Sequence, residues 1–439
     1  MHITIRTLHQ KYGRLVRIAP NEVSVADLDA IRTIYGPGSK FQKSNWYSVW
    51  QGTQKTDLFA ERDIRTHSDL KRKISRIYAM SSLTPLEKWI DNAVECFMDQ
   101  MRRQGTSSID LGVWLQLLAF DVIGEVSFSR RFGFLEAGRD DGTLAKIELA
   151  LKSLASVGQI PWLFWVDHYV KPVLGSHLNL SLRHGLIRKY ASQEVEARRT
   201  RPTEHDDILG ALFRVQQEKG ETKLGDEAIT SIATANVFAG SDTTAISLRA
   251  ICYFLLTNPA CLTVLRQETA QRKADGRLSW PATFKQVSDW PYLQAIISEA
   301  LRLHPAVGLT LPRVTTVGVN AWVVHHNPAV YGEDHETFGP ERWLGGNKGD
   351  MERYFFAFGG GQRLCIGKNI SMIEMSKLIP YFFDEFEVSL ADAGKKLEED
   401  CQADMSTFGS ELGSSDSAPR IHSEVDETAK DLLRMIMYM

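Results

Sequence analysis

Residues Phe358 to Gly367 read FGGGQRLCIG, and no other stretch of this 439-residue chain restricts its fold so tightly. Gly359, Gly360 and Gly361 let the backbone take positive φ and lie close to a flat ligand. Cys365 follows them, at the expected start of a helix. A helix beginning there aims backbone N–H groups and a partial positive charge at the sulfur. Both favour the thiolate, the form that binds metal. Arg363, two residues earlier, is placed to meet an anionic group on the same ligand. A lone cysteine is more often a small buried hydrophobe. Its neighbours decide otherwise here: Phe, Gly, Arg, Cys and Gly at offsets 0, 3, 5, 7 and 9 arise by chance on the order of once in ten thousand chains of this composition.

With 43% hydrophobic and 24% charged residues, the chain can build a large core. Its length alone suggests two or three domains. No linker or repeat divides it before the C-terminal tail, so one large domain over residues 1–394 is expected, followed by a divergent, disordered tail at 395–439. The net charge of −3 gives no reason to expect a nucleic-acid partner. Five cysteines form no CxxC pair and no disulfide framework, which suits a reducing compartment. No apolar run reads as long enough to span a bilayer. The first twenty residues read as neither signal peptide nor anchor, so the expected location is cytoplasmic or peripheral on the cytosolic face of the endoplasmic reticulum.

Alternation over residues 15–25 predicts a hairpin turning at Pro20–Asn21. From about 84 to 275 the periodicity is helical, punctuated by Pro85, Gly105, Pro161, Pro172 and Pro202. Strand signals return weakly over Val317–Val324. The fold class is mainly α with small β-sheets. The aromatic segment PWLFWVDHYV (161–170) reads as core packing, with an interfacial patch as the alternative. The stretch TAKDLLRMIMYM at the C-terminus reads as a short amphipathic helix.

Three further motifs carry chemistry. Residues 226–257 predict one long helix with Asp226 as N-cap and Pro259 as its stop. In its middle lies AGSDTT (239–244). Ala239 and Gly240 leave room for a flat group and a small molecule against that face. Ser241, Thr243 and Thr244 bring hydroxyls that compete for backbone carbonyls and open the helix locally. Asp242 and Thr243 are placed to pass protons. The competing reading is a small-residue packing patch. Next, Glu299 and Arg302 in EALR share a helix face and precede PERW (340–343), which carries Arg342. Finally, THSDLKRKISRIYAM (66–80) predicts a helix capped by Ser68, with Leu70, Ile74 and Ile77 as its apolar stripe. Its basic run Lys71, Arg72, Lys73 and Arg76 is either a solvated face or an attractor for an acidic partner.

Taken together, FGGGQRLCIG, AGSDTT, EALR and PERW, in this order, resemble the cytochrome P-450 family over roughly residues 10–390. KYGRLVRIAPNEVSV and NAWVVHHNPAVYGEDHETFGPERWL resemble its filamentous-fungal, pisatin-demethylase-like members. The resemblance implies a haem (heme, iron protoporphyrin) between the long helix and the cysteine-loop helix, with Cys365 as the metal ligand and Ala239, Gly240, Phe358, Gly361 and Gly367 among the cofactor-binding residues. It implies haem-carboxylate partners at Arg363, at Arg313 in LPRVT, and at His67 and Lys71, where relatives have W-x-x-x-R. Arg72 competes for that last place. It implies a proton relay through Asp242 and Thr243, and a buried structural triad of Glu299, Arg302 and Arg342 that locks the cysteine loop.

The implied activity is a monooxygenase that inserts one oxygen atom of O2 into an apolar small molecule by hydroxylation, demethylation or epoxidation, in secondary metabolism. The implied partners are an NADPH-dependent flavoprotein reductase, since no flavin or nicotinamide motif occurs here, and a membrane surface touched peripherally by a monomer. Two departures stand against full activity. Relatives place a strand and a hairpin between Arg313 and Val317, where this chain has three residues, and a final β-hairpin where this chain has its tail. The rival expectation is therefore a haem-binding but inactive truncated paralogue or mis-spliced product. A third, isomerisation or dehydration without O2, fits the intact AGSDTT less well.

Overall fold

The computed structural model describes residues 2–148 except 20, 21 and 53, isolated positions within 162–169, residues 182–307 except 202, 204 and 221–223, residues 316–391 and residues 434–438. Helices of eight residues or more are labelled in chain order. They are α1 (His2–Tyr12), α2 (Leu28–Tyr35), α3 (Ile64–Ile74), α4 (Glu87–Gln104), α5 (Leu111–Phe128), α6 (Leu182–Thr200), α7 (Ile208–Lys219), α8 (Asp226–Thr257), α9 (Pro259–Ala274), α10 (Pro291–Leu303) and α11 (Lys368–Glu385). The strands are β1 (Leu15–Ala19), β2 (Glu22–Val25), β3 (Ser108–Asp110), β4 (Thr316–Gly318), β5 (Glu387–Leu390) and β6 (Arg434–Tyr438). The chain is mainly α with two small sheets, as its periodicity indicates.

The first sheet has the order β1-β2-β4. β1 and β2 pair antiparallel with Leu15 opposite Val25, and β4 joins parallel with Thr316 opposite Glu22. The hairpin is thus present, while the turn expected at Pro20–Asn21 lies outside the described residues. β4 ends at Gly318, earlier than the expected strand. Residues Ala321–Val324 form a helical turn instead, because the Asn320 side chain accepts the Trp322 N–H at 2.9 Å and caps it. The second sheet has the order β3-β6-β5, antiparallel throughout, with Ile436 opposite both Ser108 and Ser389. The expected C-terminal helix is therefore a central strand within the expected tail. Its sequence RMIMY (434–438) is too short for helix nucleation to compete with two flanking ladders.

The core lies between α4, α5, α8, α10 and α11. α8 packs most extensively on α5, and α5 is buried on nearly every face. By length and composition α5 would cross a membrane, with a mean hydropathy of 1.5, but 83% of it is buried inside the protein. The expectation that no apolar run is long enough is corrected accordingly: this one is a core helix. The aromatic segment turns outward where it is described. Trp162, Val166 and Tyr169 are exposed, and only Trp165 packs against the core.

Two caps differ from expectation. α8 starts after Gly225, with Asp226 as its first residue and no side-chain cap; the Asp226 and Glu227 charges still complement the helix dipole. α3 is capped by Asp63, whose carboxylate accepts the Thr66 N–H at 2.8 Å, and Ser68 lies inside the helix. α8 also runs unbroken through AGSDTT. Ser241 and Thr243 donate to the carbonyls of Val237 and Ala239 at 2.9 and 2.7 Å. Those carbonyls keep their helical geometry, so the hydroxyls do not open the helix.

Candidate active site

The cysteine loop is held from three sides. Within it, the Cys365 N–H donates to Phe358 O at 2.9 Å, and Gly361–Arg363 forms a 3-10 turn. From the N-terminal sheet, the end of α2 lies directly against it. A Cβ at Gly361 would come 2.0 Å from the Tyr35 carbonyl oxygen, and φ there is +56°. The glycine is required twice over, by conformation and by space. From α3, the Lys71 ammonium donates to Gln362 O at 2.9 Å and Leu364 O at 2.8 Å.

The sulfur sits at the start of α11, where Gly367 and Lys368 direct their backbone N–H groups at it. Cys365 is accessible, yet enough protein surrounds it that burial pushes its thiol above the ordinary value. The two N–H groups and the Lys71 and Lys368 cations act in the opposite direction. This donor set accepts a metal well, because binding replaces the thiol proton and the N–H groups then stabilise the bound thiolate.

The loop is anchored to the core by a buried ion cluster. Glu299 and Arg302 are fully buried and meet in a bidentate pair, with Nε and Nη2 each 2.8 Å from a carboxylate oxygen. Arg342 Nε reaches Glu299 Oε1 at 2.9 Å, and Trp343 Nε1 reaches Oε2 at 2.8 Å. Arg302 also donates to the carbonyls of His325 and His335, both at 2.7 Å. Every strong hydrogen-bonding direction of the pair is used, the condition under which buried charges persist.

His325 then passes this rigidity to the loop. Its Nε2 accepts the Phe356 N–H at 2.8 Å, so Nδ1 carries the proton and donates to Arg302 O at 2.9 Å. Burial, with help from the Arg302 cation, lowers its pKa to about 3, so the neutral tautomer persists.

Of the expected haem-carboxylate partners, His67, Lys71 and Arg363 are gathered at one place. His67 is buried, and burial followed by the Arg363, Lys71 and Lys43 cations lowers its pKa to about 3. It is a neutral hydrogen-bonding group, not a cation. Lys71 spends two of its three N–H bonds on the cysteine loop. Arg363 donates to Glu61 O at 2.7 Å and Arg62 O at 3.3 Å. Arg72 is exposed and paired with Asp69, which removes it as a competitor. Arg313 lies outside the described residues.

On α8 the two small residues part company. Gly240 faces α5, where a Cβ would come 2.9 Å from Ile123 Cδ1, so the packing reading holds for it. Ala239 is exposed, Thr243 one turn on is half-buried, and Ser241, Asp242 and Thr244 between and beside them are buried. Thr244 ties this stretch to α11 through Ser371 at 2.8 Å, two turns from Cys365. Asp242 is buried, and its carboxyl lies against α5, accepting from Gln116 Nε2 at 2.5 Å. Burial raises its pKa, against the Gln116 hydrogen bond and the Arg249 cation.

Comparison with known proteins agrees with this geometry. The cytochrome P-450 family model matches residues 1–412. The chain belongs to the cytochrome P-450 family. A cytochrome P-450 monooxygenase of Aspergillus oryzae, hepC, is 38% identical over 424 residues, covering 87% of this chain and 82% of that one. The monooxygenase cicH of Emericella nidulans is 36% identical, covering 90% and 84%. Pisatin demethylase of Fusarium vanettenii is 32% identical, covering 91% and 81%. This P-450 is therefore an oxygen-incorporating oxidoreductase of the fungal secondary-metabolism group.

The family's haem fits the residues present. An accessible thiol with two N–H donors, the neighbouring cations Lys71 and Arg363, and the open Ala239–Thr243 stripe supply a metal ligand, charge compensation and a surface without bulk. Two contributors carried no sequence signal specific enough to single them out. His325 sits in an unremarkable VVHHN run. Gln116 was detectable only as one polar residue in the apolar run VWLQLLAF.

Proposed function

We propose that this P-450 is a haem-thiolate monooxygenase that inserts one oxygen atom of O2 into an apolar small molecule, by hydroxylation, demethylation or epoxidation, in fungal secondary metabolism. The observation that carries this reading is Cys365, presented at a helix N-terminus on a loop that three separate elements immobilise. Haem bound there supplies an iron that takes up O2 and electrons, with the thiolate increasing its electron density.

The protein's own groups supply position and protons. Cys365 holds the metal; Lys71, Arg363, Arg313 and the neutral His67 meet the carboxylates. Thr243 commits its hydroxyl proton to Ala239 O, so its lone pairs face the open stripe and accept a hydrogen bond. Asp242, buried and weakly acidic, is the proton donor behind it. Val307, exposed after α10, borders the substrate.

An NADPH-dependent flavoprotein reductase is the electron donor. The basic edge of α3 suits an acidic partner; a groove beside the glycine loop carries mixed charge, with Arg32, Arg353 and Lys368 next to Asp29 and Glu352. The protein acts as a monomer, in the cytoplasm or peripherally on the endoplasmic reticulum. The names of the fungal relatives support the monooxygenase assignment. The alternative is a haem-binding but inactive truncated paralogue or mis-spliced product.

The test is purified holoprotein with a fungal reductase, NADPH and labelled O2, offered a panel of apolar aromatic metabolites. The expected result is one labelled oxygen atom per turnover in the organic products: in the main product for hydroxylation or epoxidation, and in the released formaldehyde for demethylation. Labelled water as the only oxygen source, or product formed without O2, would overturn the assignment.

A further inference from the structure

Gln116 lies at the middle of α5 with its amide between two charged groups of α8. Its Nε2 donates to Asp242 Oδ1 at 2.5 Å, and its Oε1 accepts from Arg249 Nη2 at 3.0 Å. Arg249 is buried and donates twice more, to Gly112 O at 3.0 and 2.7 Å. The guanidinium has no acceptor atom, so it fixes which end of the Gln116 amide is oxygen. The NH2 end must then face Asp242. The orientation of the donor is decided by chemistry, and Arg249 in turn is held by the α5 backbone.

We propose that Gln116, oriented by Arg249, is a positioning residue that makes the ionised form of Asp242 tolerable inside the core and holds it against α5 between proton transfers. This rests on the reading of Asp242 as proton donor. A donor that works repeatedly must exist in both protonation states. The proton leaves Asp242 toward the Ala239–Thr243 face, a carboxylate remains, and a proton from solvent replaces it. In an apolar interior that carboxylate is strongly disfavoured, and burial already raises the Asp242 pKa. A hydrogen bond to the charged form acts against burial. Among the described residues the charged groups acting on Asp242 are Arg249 of its own helix, which favours ionisation, and Glu148 of segment 143–148, which opposes it. Asp110, at the start of α5, acts on Arg249. Gln116 is the group that touches Asp242 directly and is neutral, so it stabilises the anion without a competing ion pair that would trap it.

The test uses holoprotein and two variants. Gln116→Met removes both hydrogen bonds at nearly the same volume. Gln116→Glu keeps the oxygen that Arg249 needs and loses the donor to Asp242. The first readout is the infrared carboxyl band of Asp242 against pH, assigned by its loss in Asp242→Asn. The second is the fraction of NADPH oxidation that ends in peroxide. The proposal expects the Asp242 titration to move up in both variants, with at least a tenfold fall in the carboxylate-to-acid ratio near neutral pH, and peroxide to rise while haem content stays at the wild-type level. A Gln116→Met protein with an unmoved band would overturn it; Gln116→Glu must move further still, because its second carboxyl repels the Asp242 anion. A normally coupled Asp242→Asn enzyme would overturn the proton-donor reading, and this proposal with it, while leaving the monooxygenase assignment standing.

Discussion

His325 Nε2 accepts the Phe356 N–H at 2.8 Å while His325 Nδ1 donates to Arg302 O at 2.9 Å. One neutral imidazole thus joins the Glu299–Arg302 ion pair to the segment leading into the cysteine loop. Its ring also stacks on Phe355, with centroids 5.4 Å apart. His325→Phe keeps the stacking and removes both hydrogen bonds. Each orphaned backbone group costs about 1–3 kcal/mol. Chemical denaturation is expected to show a loss of that order together with weaker haem retention.

The same histidine gives a pH signature. Its native pKa lies near 3 against 6.5 in the unfolded chain. The unfolded state takes up a proton that the native state refuses, so the stability due to neutral His325 is intact above pH 6.5 and lost as pH falls toward about 3. The difference in unfolding free energy between wild type and His325→Phe should shrink across that window. A constant difference would contradict the assignment of the neutral tautomer.

Two glycines of the loop should respond differently to alanine. At Gly361 a Cβ would sit 2.0 Å from the Tyr35 carbonyl oxygen, and at Gly359 its nearest neighbour is 3.6 Å away. Both have positive φ, which costs about 1–3 kcal/mol for a side chain. Gly359→Ala should bear only that cost and retain haem. Gly361→Ala must also displace α2 from the loop, and haem incorporation should fail or fall severely. Equal behaviour would show that α2 does not support the loop.

Glu374, on α11, is buried with Oε2 unpartnered, and burial raises its pKa well above 4.5. The native state therefore holds a proton that the unfolded chain releases. Stability due to this group falls as pH rises above 4.5 toward its native pKa. Glu374→Gln removes that slope. Its unfolding free energy should gain on wild type as pH rises above 4.5, measured by urea denaturation.

Much of this was legible in the sequence because the chemistry is local. The glycine turn, Cys365 and the helix behind it lie within ten residues of one another, and the 3.6-residue period marks α8 almost to its ends. EALR and PERW point to Glu299, Arg302 and Arg342, which meet in one ion cluster. What escaped depends on contacts distant in sequence. Lys71 reads as a haem-carboxylate partner, but nothing local announces its two bonds to the cysteine loop, 291 and 293 residues away. Gly240 was read as facing the ligand because a missing side chain looks the same whether a cofactor or Ile123 fills the space. The strand 434–438 was missed because its pairing partners, β3 and β5, are separate from it in the chain. His325 and Gln116 act through tautomer and amide orientation, properties that no residue spacing encodes.

The most direct test is the carbon-monoxide difference spectrum of the reduced protein, wild type against Cys365→Ser. The account predicts the thiolate-type absorption in wild type and its loss in the variant, with haem retained weakly or not at all. An unchanged gas-bound spectrum in Cys365→Ser would contradict ligation by Cys365 and the function built on it.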